Sequence, residues 1–200
     1  MYVITSEWSK EFKNIEDKNS EPMYYENLPF RFDTRGIIYN KRAHVSKVNI
    51  RTKKFSKIID GDAKEIISIE SLVEGDRGLV LSYDQYNSKG TMLEEKIGAI
   101  EGSKIKEIYS KGSMGNLFYY EDELHAVGMR KRFDWPTNTT FLKISNTGNV
   151  SYKYRSFDRN IVKAEVNEAI LYFLYEDSGK TLLRDGTNNV DLINSDVTIK

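Results

Sequence analysis

The stretch with the densest capacity for recognition chemistry is Gly128 to Thr140, where Arg130, Lys131 and Arg132 run into Phe133, Trp135 and Pro136. Arginine and tryptophan dominate the energetics of binding surfaces, and a cation stacks on an aromatic face when the two are held together. Arg130, Arg132, Phe133 and Trp135 are therefore the expected contacts for an acidic or aromatic partner. The plainer alternative is that Phe133 and Trp135 pack onto adjoining strands. Tyr119 and Tyr120 complete the candidate binding set, as rings able to stack on a ligand face.

Other chemistry is sparse. His44 and His125 are the only histidines. Each follows an apolar strand by a few residues, and a metal shared between them would need a further ligand at telling spacing. Asp60-Gly61-Asp62 resembles the start of a calcium loop, but the next residues add at most one useful carboxylate to the six to eight oxygens calcium takes. Glu121, Asp122 and Glu123 are adjacent acids at a turn, the pattern of a solvated corner. Nucleophile-elbow, dinucleotide and phosphate-loop glycine patterns do not occur. Asn138-Thr139-Thr140 fits a glycosylation sequon, which matters only in a secreted eukaryotic setting. No catalytic residue, metal site or cofactor is expected, and the balance leans away from an enzyme.

Composition narrows the classes. Thirty basic and thirty acidic residues cancel, so a dedicated nucleic-acid binder is not expected. With no cysteine, disulfides and thiolate chemistry are excluded. No apolar run approaches the roughly 20 residues of a membrane helix, and the opening Met1 to Trp8 lacks the character of a signal peptide. Lys, Asn, Ile and Tyr are abundant, which suggests a bacterial or phage source. An exported location after signal removal is favoured slightly over the cytoplasm.

What must position these residues is a repeated plan. Short apolar strands open near residues 36, 78, 116 and 169, each followed by a polar turn: 40–42, 84–87, 121–123 and 176–179. A hairpin of alternating strands comes next. The clearest runs Phe141 to Ser145, turn Asn146-Thr147-Gly148-Asn149, then Val150 to Tyr154. Asn-Gly and Asp-Gly chemistry accepts the positive φ that such turns require. Further strands are expected at 24–32, 66–72, 110–114 and 161–166, and a two-turn helix at 10–17. The spacing of roughly 40 residues is that of a four-stranded blade. The units are 24–65, 66–109, 110–156 and 157–195 within one all-β domain over 1–200, with terminal strands 2–8 and 196–199 outside them.

This plan of apolar strand, polar turn and Leu/Ile-x-x-x-Thr-Gly-x-Val hairpin resembles β-propeller repeats of the TolB-like and quinoprotein-like kind, over most of 30–195. The resemblance implies a propeller-like fold of four to five blades and carries no activity. A twisted β-sandwich, an open barrel or a piece of a larger propeller are the alternatives. Asp177-Ser178-Gly179-Lys180-Thr181 matches the core of an Asp box without its flanks and reads as a turn. The function expected on this basis is a non-catalytic interaction module whose partner is a protein or an extracellular ligand, including a glycan. The rival is a carbohydrate-active domain, with Tyr119, Tyr120 and Trp135 stacking on sugars and Asp84 or Asp122 near a central cleft.

Overall fold

The computed structural model describes residues 1–9, 31–32, 36–37, 41–76, 78–130, 138–153 and 157–193. Its strands form separate antiparallel sheets. The first holds β1 (Tyr2–Trp8), β4 (Lys41–Asn49) and β5 (Lys54–Ile59), in the order β1-β4-β5. A two-stranded piece pairs β2 (Arg31–Phe32) with β3 (Gly36–Ile37). The next sheet runs in chain order through β6 (Ile66–Gly75), β7 (Gly78–Tyr86), β8 (Leu93–Glu101) and β9 (Lys104–Tyr109). Then come β10 (Ser113–Tyr120), β11 (Glu123–Met129), β12 (Thr140–Ile144) and β13 (Val150–Tyr152). The last sheet is β14 (Asn160–Asn167), β15 (Ile170–Asp177), β16 (Lys180–Asp185) and β17 (Val190–Ile193). Among the described residues no strand belongs to two sheets, so the barrel alternative is not what these strands build.

Contacts divide the chain into two compact units. One comprises the described residues of Met1–Ile69, Tyr83–Glu95 and Ile100–Lys106; the other those of Glu70–Ser82, Lys96–Ala99 and from Glu107 onward. In the first unit, β4 buries five consecutive residues, Arg42 to Ser46, and Val45 among them pairs with the buried Ile59 of β5. The one-turn helix α1 (Gly61–Lys64) turns the chain from β5 into β6.

In the second unit the strand period of two puts alternate side chains on opposite sheet faces. The sheet of β10 to β13 is consequently apolar on both. Leu124, Ala126, Leu142 and Ile144 join one buried layer with Val80 and Ile97. Phe118, Tyr120, Val127 and Phe141 join another with Leu171, Phe173 and Tyr175 of β15. Phe141 bridges that layer, with ring centroids 5.7 Å from Phe118 and 5.0 Å from Phe173.

Several local expectations fail for identifiable reasons. Lys41 and Arg42 are not a turn: they begin β4 and pair with Trp8 and Glu7 of β1, so the N-terminal strand lies inside a sheet. Residues 84–86 continue β7 because Ser68 donates to the Asp84 carboxylate and the Gln85 amide donates to the Lys64 carbonyl, holding both polar side chains on the sheet. Ser113 and Met114, expected in a separate strand, open β10, across a bulge between Met114 and Leu117. Glu123 to Gly128 forms most of β11, since Gly128 lies against Ser113 and Met114 with no room for a Cβ. The expected helix at 10–17 and the strand at 196–199 lie outside the described residues, as does most of the strand at 24–32.

Three hairpins turn on two residues with positive φ: Glu121-Asp122 (52°, 59°), Glu168-Ala169 (49°, 62°) and Ser178-Gly179 (52°, 75°). This is the turn whose twist matches paired strands, and it normally uses Asn-Gly. Left-handed backbone costs a residue with a Cβ about 1–2 kcal/mol. Replacing Glu168-Ala169 by Asn-Gly is expected to raise stability by about 1 kcal/mol, read as a higher urea midpoint at unchanged slope.

Candidate functional site

Sheets β6–β9, β10–β13 and β14–β17 each expose one edge strand first in the chain: β6, β10 and β14. Counting back from each hairpin turn, Ser71, Asn116 and Lys163 occupy equivalent positions, four residues before the strand ends. Two of them join neighbouring sheets. Leu117 N–H donates to Ser71 Oγ at 3.0 Å, and Ala164 N–H donates to Asn116 Oδ1 at 2.5 Å. These donors are themselves equivalent, three residues before their strand ends, and each comes after a register shift in its strand pair. Edge N–H groups that a sheet leaves unpaired are thereby satisfied by the preceding sheet.

The same strands line an open concavity of about 440 Å³, walled by Val73 and Glu74 of β6, Asn116 to Tyr119 of β10 and Lys163 to Val166 of β14. Its charged members are Glu74, Glu165 and Lys163, and Tyr119 supplies an aromatic wall. The Tyr119 ring lies against Gly75, where a Cβ would come within 2.4 Å of it. Carboxylate, ammonium, amide and aromatic groups on adjoining strand edges can meet both charged ends and the backbone of an extended polar ligand.

The sequence candidates disperse. Tyr119 lines the concavity. Tyr120 points to the opposite face of β10, where it is buried, its hydroxyl 3.2 Å from Thr187 Oγ1 and its ring 4.1 Å beneath Lys153 Nζ. The Arg130 carbonyl accepts a hydrogen bond from the Tyr109 hydroxyl, whose pKa burial pushes up. Arg132, Phe133 and Trp135 lie outside the described residues. Glu121 and Glu123 pair with Lys153 and Lys143, and these lysine contacts hold both carboxyls below the usual range. Ser71 and Asn116 carried no warning in the sequence, because nothing distinguishes them there from other polar residues in a strand.

Both histidines are fully buried. His44 Nδ1 accepts the Gly61 N–H at 3.0 Å, which places the proton on Nε2. Asp60 and Asp62 approach it closely enough to suggest a cation site. Yet the Nδ1 lone pair is already taken, and the Asp60 carboxylate caps α1 through the Asp62 N–H. His125 is the reverse tautomer: Nδ1–H donates to the Glu123 carbonyl at 3.0 Å, and its ring stacks on Phe118 at 5.5 Å. Burial is the largest cause pushing the pKa of each histidine down.

That depression sets an acid limit on stability. Below about pH 6.5 the unfolded histidines take up protons while the folded ones resist. Stability should therefore be level above about pH 7 and fall as pH drops toward 5, before most carboxylates titrate. Urea midpoints measured across this range check it; a midpoint flat down to about pH 5 would contradict it.

No family model matches the chain, and no curated protein matches it. Solved structures do. An orthorhombic crystal form of Pyrococcus horikoshii acylaminoacyl peptidase aligns over 96% of this chain at TM-score 0.66 and 12% identity. The uncomplexed form of that enzyme aligns over 91% at 0.63 and 11% identity. A structure of acylaminoacyl peptidase in complex with Z-Gly-Gly-Phe-chloromethyl ketone gives the same three values. The fold is propeller-like, with about four blades. The chain spans less than a third of the length of these structures, 27–29% of each. These neighbours overturn the expected non-catalytic module presenting loops to a protein, glycan or other extracellular ligand, and its carbohydrate-active alternative: they are peptidases, and they offer that expectation no support. Among the described residues no helix is long and apolar enough to cross a membrane.

Proposed function

We propose that this chain handles peptides as the propeller-type part of a peptidase-like assembly, with hydrolysis carried by a separate catalytic unit. The observation that carries the reading is the alignment of 96% of the chain with acylaminoacyl peptidase at TM-score 0.66. The chemistry of the chain agrees with a division of labour. A serine or cysteine hydrolase of the usual kind needs an imidazole beside its nucleophile. Here there are two histidines in all and no cysteine, and both imidazoles are sealed in sheet cores.

The concavity over β6, β10 and β14 suits the role assigned to it. Its walls are strands, which hold side chains more rigidly than loops do, and the Ser71 and Asn116 hydrogen bonds fix the strands to one another. Glu74 is placed to meet a peptide amino terminus and Lys163 a carboxylate. Fluorescence anisotropy with labelled short peptides tests this. Saturable binding is expected, weakened about tenfold by Glu74→Lys for peptides with a free amino terminus. Absence of saturable binding, or indifference to Glu74→Lys, would overturn the reading.

A further inference from the structure

The hairpin of β4 and β5 concentrates one sign of charge. Residues 41–59 hold seven lysines and arginines and no carboxylate, in a chain whose charges cancel overall. Along β1, the third strand of this sheet, the single acid is Glu7, which pairs across from Arg42 at the end away from the turn. Lys57 lies 3.9 Å from Asp60. Lys47, Arg51, Lys53 and Lys54 form no ion pair among the described residues, and all four are exposed. The same hairpin leaves apolar side chains in water: Ile50, in the turn, is 71% exposed and Phe55, beside it on β5, 67%. Both line one shallow hollow with Lys47, Arg51 and Lys54. The tip is preformed. Asn49 Oδ1 accepts the N–H groups of Arg51 at 3.1 Å and Thr52 at 3.0 Å, and Asn49 pairs with Lys54 across the strands. Lys53 holds a φ of 55°, a conformation that suits glycine, and so sets an ammonium in the turn. Lysine on an edge strand deters pairing with another chain, which explains the charges of β5. It does not explain the cations of the turn, nor Ile50 and Phe55 exposed among them.

We infer that this hairpin tip docks on the surface of an anionic phospholipid bilayer. Ile50 and Phe55 enter the boundary between headgroups and acyl chains, and Lys47, Arg51, Lys53 and Lys54 meet the anionic headgroups. Buried apolar area and attraction to anionic lipid are the two contributions that hold such peripheral elements on a membrane. Three features select a bilayer over a macromolecular partner. The patch is confined to one turn and the strand ends beside it, far short of the roughly 20–30 residues that a stable protein interface uses on each side. Three of its four cations without an ion pair are lysines. Lysine acts as a hydrated point charge, whereas arginine binds a carboxylate or phosphate in a fixed fork. Phe55 is the lone aromatic between residues 47 and 57, where a nucleic-acid strand calls for successive rings on which its bases stack.

The inference does not rest on the peptide reading, and none of the residues lining the concavity belongs to this hairpin. Co-sedimentation of the full chain with large vesicles tests it. Phosphatidylcholine vesicles carrying about 30% phosphatidylserine should bring the chain down, and phosphatidylcholine alone should leave it in solution. Raising salt to about 0.5 M should release most of it. Arg51→Gln, Lys53→Gln and Lys54→Gln should each weaken binding about fivefold. Ile50→Ser and Phe55→Ser should each weaken it about tenfold. All five positions are exposed, and circular dichroism verifies that the variants fold. No binding to the anionic vesicles overturns the inference, as does equal binding to phosphatidylcholine alone or indifference to these substitutions. Soluble poly-glutamate bound as tightly as the vesicles, with no loss on Ile50→Ser or Phe55→Ser, assigns the patch to an acidic polypeptide and overturns it too.

Discussion

Phe141→Ala should cost about 3–5 kcal/mol, the range for removing a fully buried aromatic ring from a core that cannot collapse around the gap. Phe141 has no solvent exposure and sits edge-on to both Phe118 and Phe173. Its removal takes contacts from β10 and from β15 at once, so neither sheet can close the cavity by moving alone. Domains of this kind hold about 5–15 kcal/mol of net stability, and the loss would leave the variant near its folding limit. The check is a urea titration, with a midpoint that falls sharply at an unchanged slope. Phe141→Leu, which keeps most of the volume, should cost about 1 kcal/mol. Equal costs for the two would mean that the rings do not form the joint described.

Gly61→Ala should be similarly severe, at about 3 kcal/mol, toward the upper end for overpacking. A Cβ there would stand 2.0 Å from the Ala43 carbonyl oxygen, which is backbone and cannot swing aside. The same position supplies the N–H that His44 accepts, so displacing α1 also leaves a buried imidazole without its donor. Gly115→Ala is the matched control: nothing lies within 4 Å of its added Cβ. The control should stay within about 0.5 kcal/mol of wild type, as substitutions without a named cause do. Differential scanning calorimetry on the pair separates a steric cause from a general penalty for losing glycine.

These two sites mark the reach of the sequence. The hairpin at Asn146 to Asn149 was legible because Gly148 occupies a positive φ of 77° and Ser145 and Asn149 close the turn by hydrogen bonds. Asp185-Gly186 was legible for a related reason, since the Asp185 carboxylate accepts the two following N–H groups. Local chemistry decides both. Asp84 and Gln85 misled because their polar side chains are held by Ser68 and Lys64, partners 16 and 21 residues away. Gly128 opens the Gly128 to Thr140 stretch in the sequence yet lies within β11, and only the close approach of Ser113 and Met114 explains a glycine inside that strand.

The candidate site was harder to read. Its acceptors, Ser71 and Asn116, act on N–H groups 46 and 48 residues further along, a separation that no local residue pattern signals. Among the candidate binding residues that the structure describes, Tyr119, Tyr120 and Arg130, Tyr119 alone lines the concavity. Tyr120, its neighbour, belongs to the core, because consecutive residues of a strand face opposite ways.

The central proposal is that peptides are received on the edge strands β6, β10 and β14. Titrating an isotope-labelled sample with a short N-acetylated peptide, and with the same peptide carrying a free amino terminus, tests it most directly. Amide shifts should concentrate at Glu74, Asn116 to Tyr119 and Lys163 to Val166, and saturate with one affinity per peptide. Glu74→Lys should weaken the free-amine peptide and leave the acetylated one nearly unchanged. Shifts confined to residues away from these strands, or none that saturate, would contradict it.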